Sequence, residues 1–161
     1  LSNAVSSGVT MRTCPSSAPL ARDAARALSE GRLYADADAA IPLYLALRRL
    51  LPADAQVKRG LEKSLAALLK QGDAALRDAD DSADALSRAG EIAAVARTLA
   101  AEDEQVVAYL ARVDAADQGW RLNAAGESAL RSGQIGERGE VALASFREVL
   151  ALHPLQPRAL Q

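Results

Sequence analysis

His153 is the only histidine and Cys14 the only cysteine of this 161-residue chain, so acid–base or nucleophilic catalysis would have to be built on one imidazole or one thiol. Imidazole catalysis needs a second group that orients the ring and brings the reacting atom within reach, and neither a cysteine nor another histidine lies near His153 in sequence. His153 stands one residue before Pro154 at an expected helix end, where an imidazolium meets the negative end of the helix dipole. Cys14 sits in a Ser-, Thr- and Pro-containing lead-in and reads as a bystander thiol; alone, it forms no intramolecular disulfide and indicates no redox compartment. Asp78, Asp80, Asp81 and Asp84 offer the hard oxygen ligands that calcium takes, but the loop glycine and the closing bidentate glutamate of an EF-hand are missing. A solvated turn with helix caps is expected there. Gly133, Gly136 and Gly139 would let backbone N–H groups approach a phosphate, yet no strand precedes them and no lysine follows, so they read as a permissive loop. These residues give no reason to expect catalysis, a cofactor or a metal.

The composition points to helices that must pack closely. Half of the residues are hydrophobic but only 3% are aromatic, so the apolar content is mostly alanine, leucine and valine, which favours helix-on-helix packing over a β-sandwich. With 19 basic against 21 acidic residues, mixed along the chain, no basic face is evident for releasing counterions from a nucleic acid. The longest apolar run, Ala39 to Leu47, is stopped by Arg48-Arg49, far short of the roughly 20 residues that span a bilayer.

Residues 1–17 lack apolar periodicity and read as a flexible lead-in, with residues 2–4 (Ser2-Asn3-Ala4) resembling the scar of a cleaved tag. Residues 18–161 read as a helical domain. A first helix is expected over Pro19–Glu30, closed by Gly31; a second over Ala39–Leu51, with Pro42 tolerated only in its first turn. Asp54 should cap a third helix running to Ala79, with Val57, Leu61, Leu65, Leu68 and Leu76 as its buried stripe. Ser82 should cap a fourth, Ala83–Leu99, burying Leu86, Ile92, Val95 and Leu99. A fifth should follow Asp103 and present Val106, Leu110, Val113, Trp120, Ala124 and Leu130 before ending near Gly133; a sixth should cover Glu140–Leu152. Burial of Trp120 against the third or fourth helix is its expected fate, since a large aromatic at helical spacing is usually core.

The chain also repeats itself. Gly31, Tyr44 and Pro52 recur as Gly133, Phe146 and Pro154 at a constant offset of 102 residues. Asp54-Ala55-Gln56-Val57 recurs as Asp103-Glu104-Gln105-Val106 at an offset of 49, and Gly72 to Arg77 recurs as Gly126 to Arg131 at 54. Leu122, Ala125-Gly126, Ala129 and Gly133, followed by Ala142, Phe146, Val149 and Pro154, resemble the tetratricopeptide repeat; Leu20, Ala24, Ala27, Gly31, Ala40, Tyr44, Leu47 and Pro52 match it too. The middle pair departs, with Ala93 and Ala101 where an aromatic and a proline would stand. The period near 50 also exceeds the family's 34 residues or so.

This resemblance implies an all-α fold of three tetratricopeptide-like hairpins with elongated A helices, in a right-handed α-solenoid type array. The hairpins would span about 19–52, 54–100 and 103–153, with a further helix starting at 156–161. It also implies a groove lined by Trp120, Asn123 and Glu127 as peptide-binding residues. The alanine-rich long helices and Ala40-Ile41-Pro42-Leu43-Tyr44 are similar to the helical-repeat region of bacterial envelope proteins that carry a formylglycine-generating-enzyme-like domain. That likeness implies the periplasmic side of the envelope and an excised part of a larger bacterial protein. The functional expectation is a non-catalytic helical-repeat module for protein–protein interaction or scaffolding, with a protein or peptide partner, no nucleic acid, no membrane insertion and no cofactor. The alternative is a ligand-sensing or regulatory domain that controls a domain outside this segment.

Overall fold

The computed structural model of the chain describes residues 17–132 and 139–152, the second range with side chains from residue 143 onward. Among these residues there is no strand, and the elements are α1 (Ser17–Ser29), α2 (Ala40–Leu50), α3 (Ala55–Asp78), α4 (Ala83–Ala100), α5 (Glu104–Arg131) and α6 (Gly139–Leu152). The fold is all-α, as composition indicates. It divides into two compact units, Leu1–Ser64 and Leu65–Gln161, with the division inside α3.

In the first unit α1 packs on α2. Gly31 terminates α1 with φ 72°, a left-handed conformation that glycine adopts without a Cβ penalty. The Gly31 N–H donates to the Leu28 carbonyl at 3.1 Å and the Arg32 N–H to the Ala27 carbonyl at 3.0 Å, the paired bonds of a Schellman ending. The loop that follows does for α2 what a capping side chain usually does. The N–H groups of Ala40 and Ile41 donate to the carbonyls of Arg32 and Leu33 at 2.9 and 3.0 Å. Pro42 has no N–H to satisfy, and Leu43 closes onto Ala39 at 3.2 Å. The core gathers Ala24, Ala27, Leu33, Ile41, Tyr44 and Leu47, all buried. At the start of α3, the Asp54 carboxylate accepts from the N–H groups of Gln56 and Val57 at 2.8 and 3.0 Å.

In the second unit α5 packs on both α4 and α6. Ser82 caps α4 by accepting from the Ala85 N–H at 3.2 Å, and Asp103 caps α5 by accepting from Gln105 and Val106 at 2.9 and 3.2 Å. The expected terminator of α5, Gly133, and the expected end at Pro154 lie outside the described residues.

The buried faces agree with the expected stripes at Val57, Leu68, Ile92, Val106 and Val113 and differ at the remaining positions. On α3 Val57 and Leu68 of the expected stripe are buried together with Gly60, Ser64, Gly72 and Ala75, whereas Leu61, Leu65 and Leu76 are half-buried. On α4 Ala85, Ala89, Ala93 and Ala96 accompany Ile92 inside, with Leu86, Val95 and Leu99 at the margin. On α5 the inner face is Val106, Tyr109, Val113, Ala116, Gly119, Asn123 and Gly126, while Ala124 is exposed and Leu130 is 57% exposed. Small residues join Leu68, Ile92 and Val106 on the inner faces because they let aromatic rings and neighbouring backbones come close. A Cβ built on Gly60 would lie 2.2 Å from Tyr44 Cε1, on Gly72 2.5 Å from Tyr109 Cζ, and on Gly126 2.9 Å from Phe146 Cζ. Three aromatic rings therefore sit in three glycine seats.

Candidate interaction surface

Trp120, Asn123 and Glu127 share one face of α5 by helical spacing, and all three are drawn at least partly into the fold. Trp120 is half-buried and its indole N–H donates to the carbonyl of Ala79, the residue just after α3. Asn123 is completely buried, and among the described residues neither its Oδ1 nor its Nδ2 has a hydrogen-bond partner. Glu127 is half-buried. Asn123 is the unusual member, because an unpaired amide inside a protein costs about 1–3 kcal/mol.

A second cluster surrounds the Tyr109 ring on its Gly72 seat. The ring is fully buried, and its hydroxyl donates to the Ala89 carbonyl at 2.9 Å, tying α5 to α4. Arg112 stands 5.7 Å from the ring centroid and pairs with Asp73 at 2.9 Å. Both charged side chains are substantially exposed, so the pair adds at most about 1 kcal/mol; burial and the shape of the seat hold this joint.

An open groove runs between α4 and α5. Ala83, Leu86, Ser87 and Gly90 line it from α4, spaced three and four apart so that they form one face; Val113, Asp114 and Asp117 line it from α5. It encloses about 400 Å³. In its lining, a Cβ built on Gly90 would meet no atom of the described residues within 4 Å. This is the reverse of Gly60, Gly72 and Gly126, each of which is filled by a ring. Asp117 pairs with Arg121 at 2.7 Å, whereas Asp114, among the described residues, has no ion-pair partner. Another groove, of about 360 Å³, lies in the first unit between the end of α2 and the start of α3, lined by Arg48, Pro52, Val57, Lys58, Leu61 and Glu62 among others. Its charges are mixed and favour no sign of partner.

Of the lining of the α4–α5 groove, helical spacing marks only Leu86 and Val113, and those as core residues rather than as a site. The sequence signal that sets the groove apart is Gly90, a glycine inside an alanine-rich helix with no turn to make. Among the described residues no three His, Cys, Asp or Glu side chains converge as a metal ligand set, the Asp78–Asp84 turn included. His153, Cys14, Gly133 and Gly136 lie outside the described residues, and no described helix is long and apolar enough to cross a membrane. No protein-family model, curated protein or solved structure matches the chain.

Proposed function

We propose that the chain is a non-catalytic helical-repeat module for protein–protein interaction or scaffolding, related in plan to tetratricopeptide hairpins. The observation that carries the interaction reading is the α4–α5 groove, an open channel lined by Ala83, Leu86, Gly90 and Val113 with Ser87 and two carboxylates beside them. A preformed concave site that combines apolar walls with a small number of placed polar groups is the usual form of a recognition surface. Close seating of Tyr109, whose hydroxyl donates to the Ala89 carbonyl of α4, ties the two walls together, so little ordering is required of the protein when a partner binds. The repeat reading draws on the caps: Asp54 and Asp103 each accept from the residues two and three positions later, in segments 49 residues apart.

The test is selection of a displayed library of protein fragments from the source organism against the full chain. Reproducible enrichment of defined segments that then bind the purified chain is expected. Failure of any segment to enrich above an albumin control would contradict the interaction reading.

A further inference from the structure

Three of the glycines inside these helices are explained by the ring that each accommodates, and Gly90 is not. A glycine in mid-helix costs about 1 kcal/mol relative to alanine, so its place needs a reason, and none of the described residues comes close enough to supply one. The seat lies in a groove walled by Leu86 and Val113. On the α5 wall stand two carboxylates, Asp114 and Asp117, and no basic side chain lines the groove to answer them. Asp117 is already engaged by Arg121, which leaves Asp114 to attract a cation from outside. Val107, two turns before Asp114 on the same face of α5, is 52% exposed and prolongs the apolar wall.

We propose that the α4–α5 groove docks a partner peptide that presents one aromatic side chain to the Gly90 seat with a lysine or arginine beside it, set to meet Asp114. The inference rests on the interaction reading above and names its partner chemistry. The aromatic would enter as Tyr109 enters the Gly72 seat, with apolar walls and the ring close over backbone, and the flanking cation would fix orientation.

The experiment uses the full chain and a short fluorescein-labelled, helix-forming peptide with one Phe between two Lys on a single face. Control peptides carry Ala for Phe or Glu for Lys, and anisotropy reports binding. The expected result is saturable binding that weakens by about tenfold or more for each control peptide, for Gly90→Leu and for Asp114→Lys. Thermal melting confirms that the variants fold; Gly90→Leu is a favourable helix substitution into open space. Unchanged binding by Gly90→Leu, or no binding of the Phe/Lys peptide, overturns the proposal. So does light scattering that shows a dimer broken by Gly90→Leu, since a second copy would then be the occupant. Display selection yielding partners that bind both wild type and Gly90→Leu equally would leave the interaction reading standing while this site fell.

Discussion

Adding one carbon at Gly72 would place it 2.5 Å from the ring of Tyr109, which cannot swing aside because it is fully buried and its hydroxyl is held by the Ala89 carbonyl. Gly72→Ala is therefore expected to destabilise the chain by about 1–3 kcal/mol despite the better helix propensity of alanine. Gly126→Ala should cost less, since Phe146 is only half-buried and its ring can yield. Gly90→Ala should do the opposite and stabilise by up to about 1 kcal/mol, because the new methyl meets nothing. Chemical denaturation of the three variants checks the order; a Gly72→Ala chain as stable as Gly90→Ala would refute the seat account. Asn123 makes an independent prediction. Replacing its unpaired buried amide with the similarly sized apolar side chain in Asn123→Leu should raise stability by about 1–3 kcal/mol, and a lower melting temperature would show that the amide has a partner. Burial pushes the Tyr44 phenol above its ordinary pKa. Its neutral form is favoured in the folded state, so this contribution to stability is full below the unfolded value of about 10 and is lost as pH rises through the higher folded value. Tyr44→Phe should therefore lose less stability than wild type between neutral and strongly alkaline pH, as read from parallel denaturation curves.

Helix ends were far easier to read from sequence than helix faces. Asp54, Ser82 and Asp103 cap α3, α4 and α5, Gly31 closes α1, and Pro42 falls in the first turn of α2, each through local backbone chemistry that sequence alone specifies. Asp103→Ala should accordingly cost about 1 kcal/mol and loosen the start of α5, seen as faster amide exchange at Gln105 and Val106. Faces were harder because apolarity barely discriminates sides in helices this rich in alanine. Val57 and Leu68 of the expected stripe are buried, but Leu61, Leu65, Leu76 and Leu130 are not, and the seams also close over Gly60, Ser64, Gly72 and Ala75, where closeness rather than hydrophobicity decides. Tyr109, at the centre of the second unit, was missed for the same reason: its significance depends on Gly72, distant in sequence. Trp120 meets the Ala79 carbonyl at the end of α3, within reach of the burial reading, whereas the sealed, unpaired state of Asn123 had no signature along the chain.

At the scale of the whole molecule, a formal net charge of −2 and the acidic wall of the α4–α5 groove both favour encounter with cationic partners. Association of the Phe/Lys peptide should slow as salt rises while its dissociation rate changes little, because steering between exposed charges is screened beyond about 8–10 Å. The most direct test of the interaction account is to map the bound peptide on the isotopically labelled full chain by amide chemical shifts. The account predicts changes concentrated at Leu86, Ser87, Gly90, Val113 and Asp114. Changes centred instead on Trp120–Glu127 or on the Arg48–Glu62 groove, or none at saturating peptide, would contradict it.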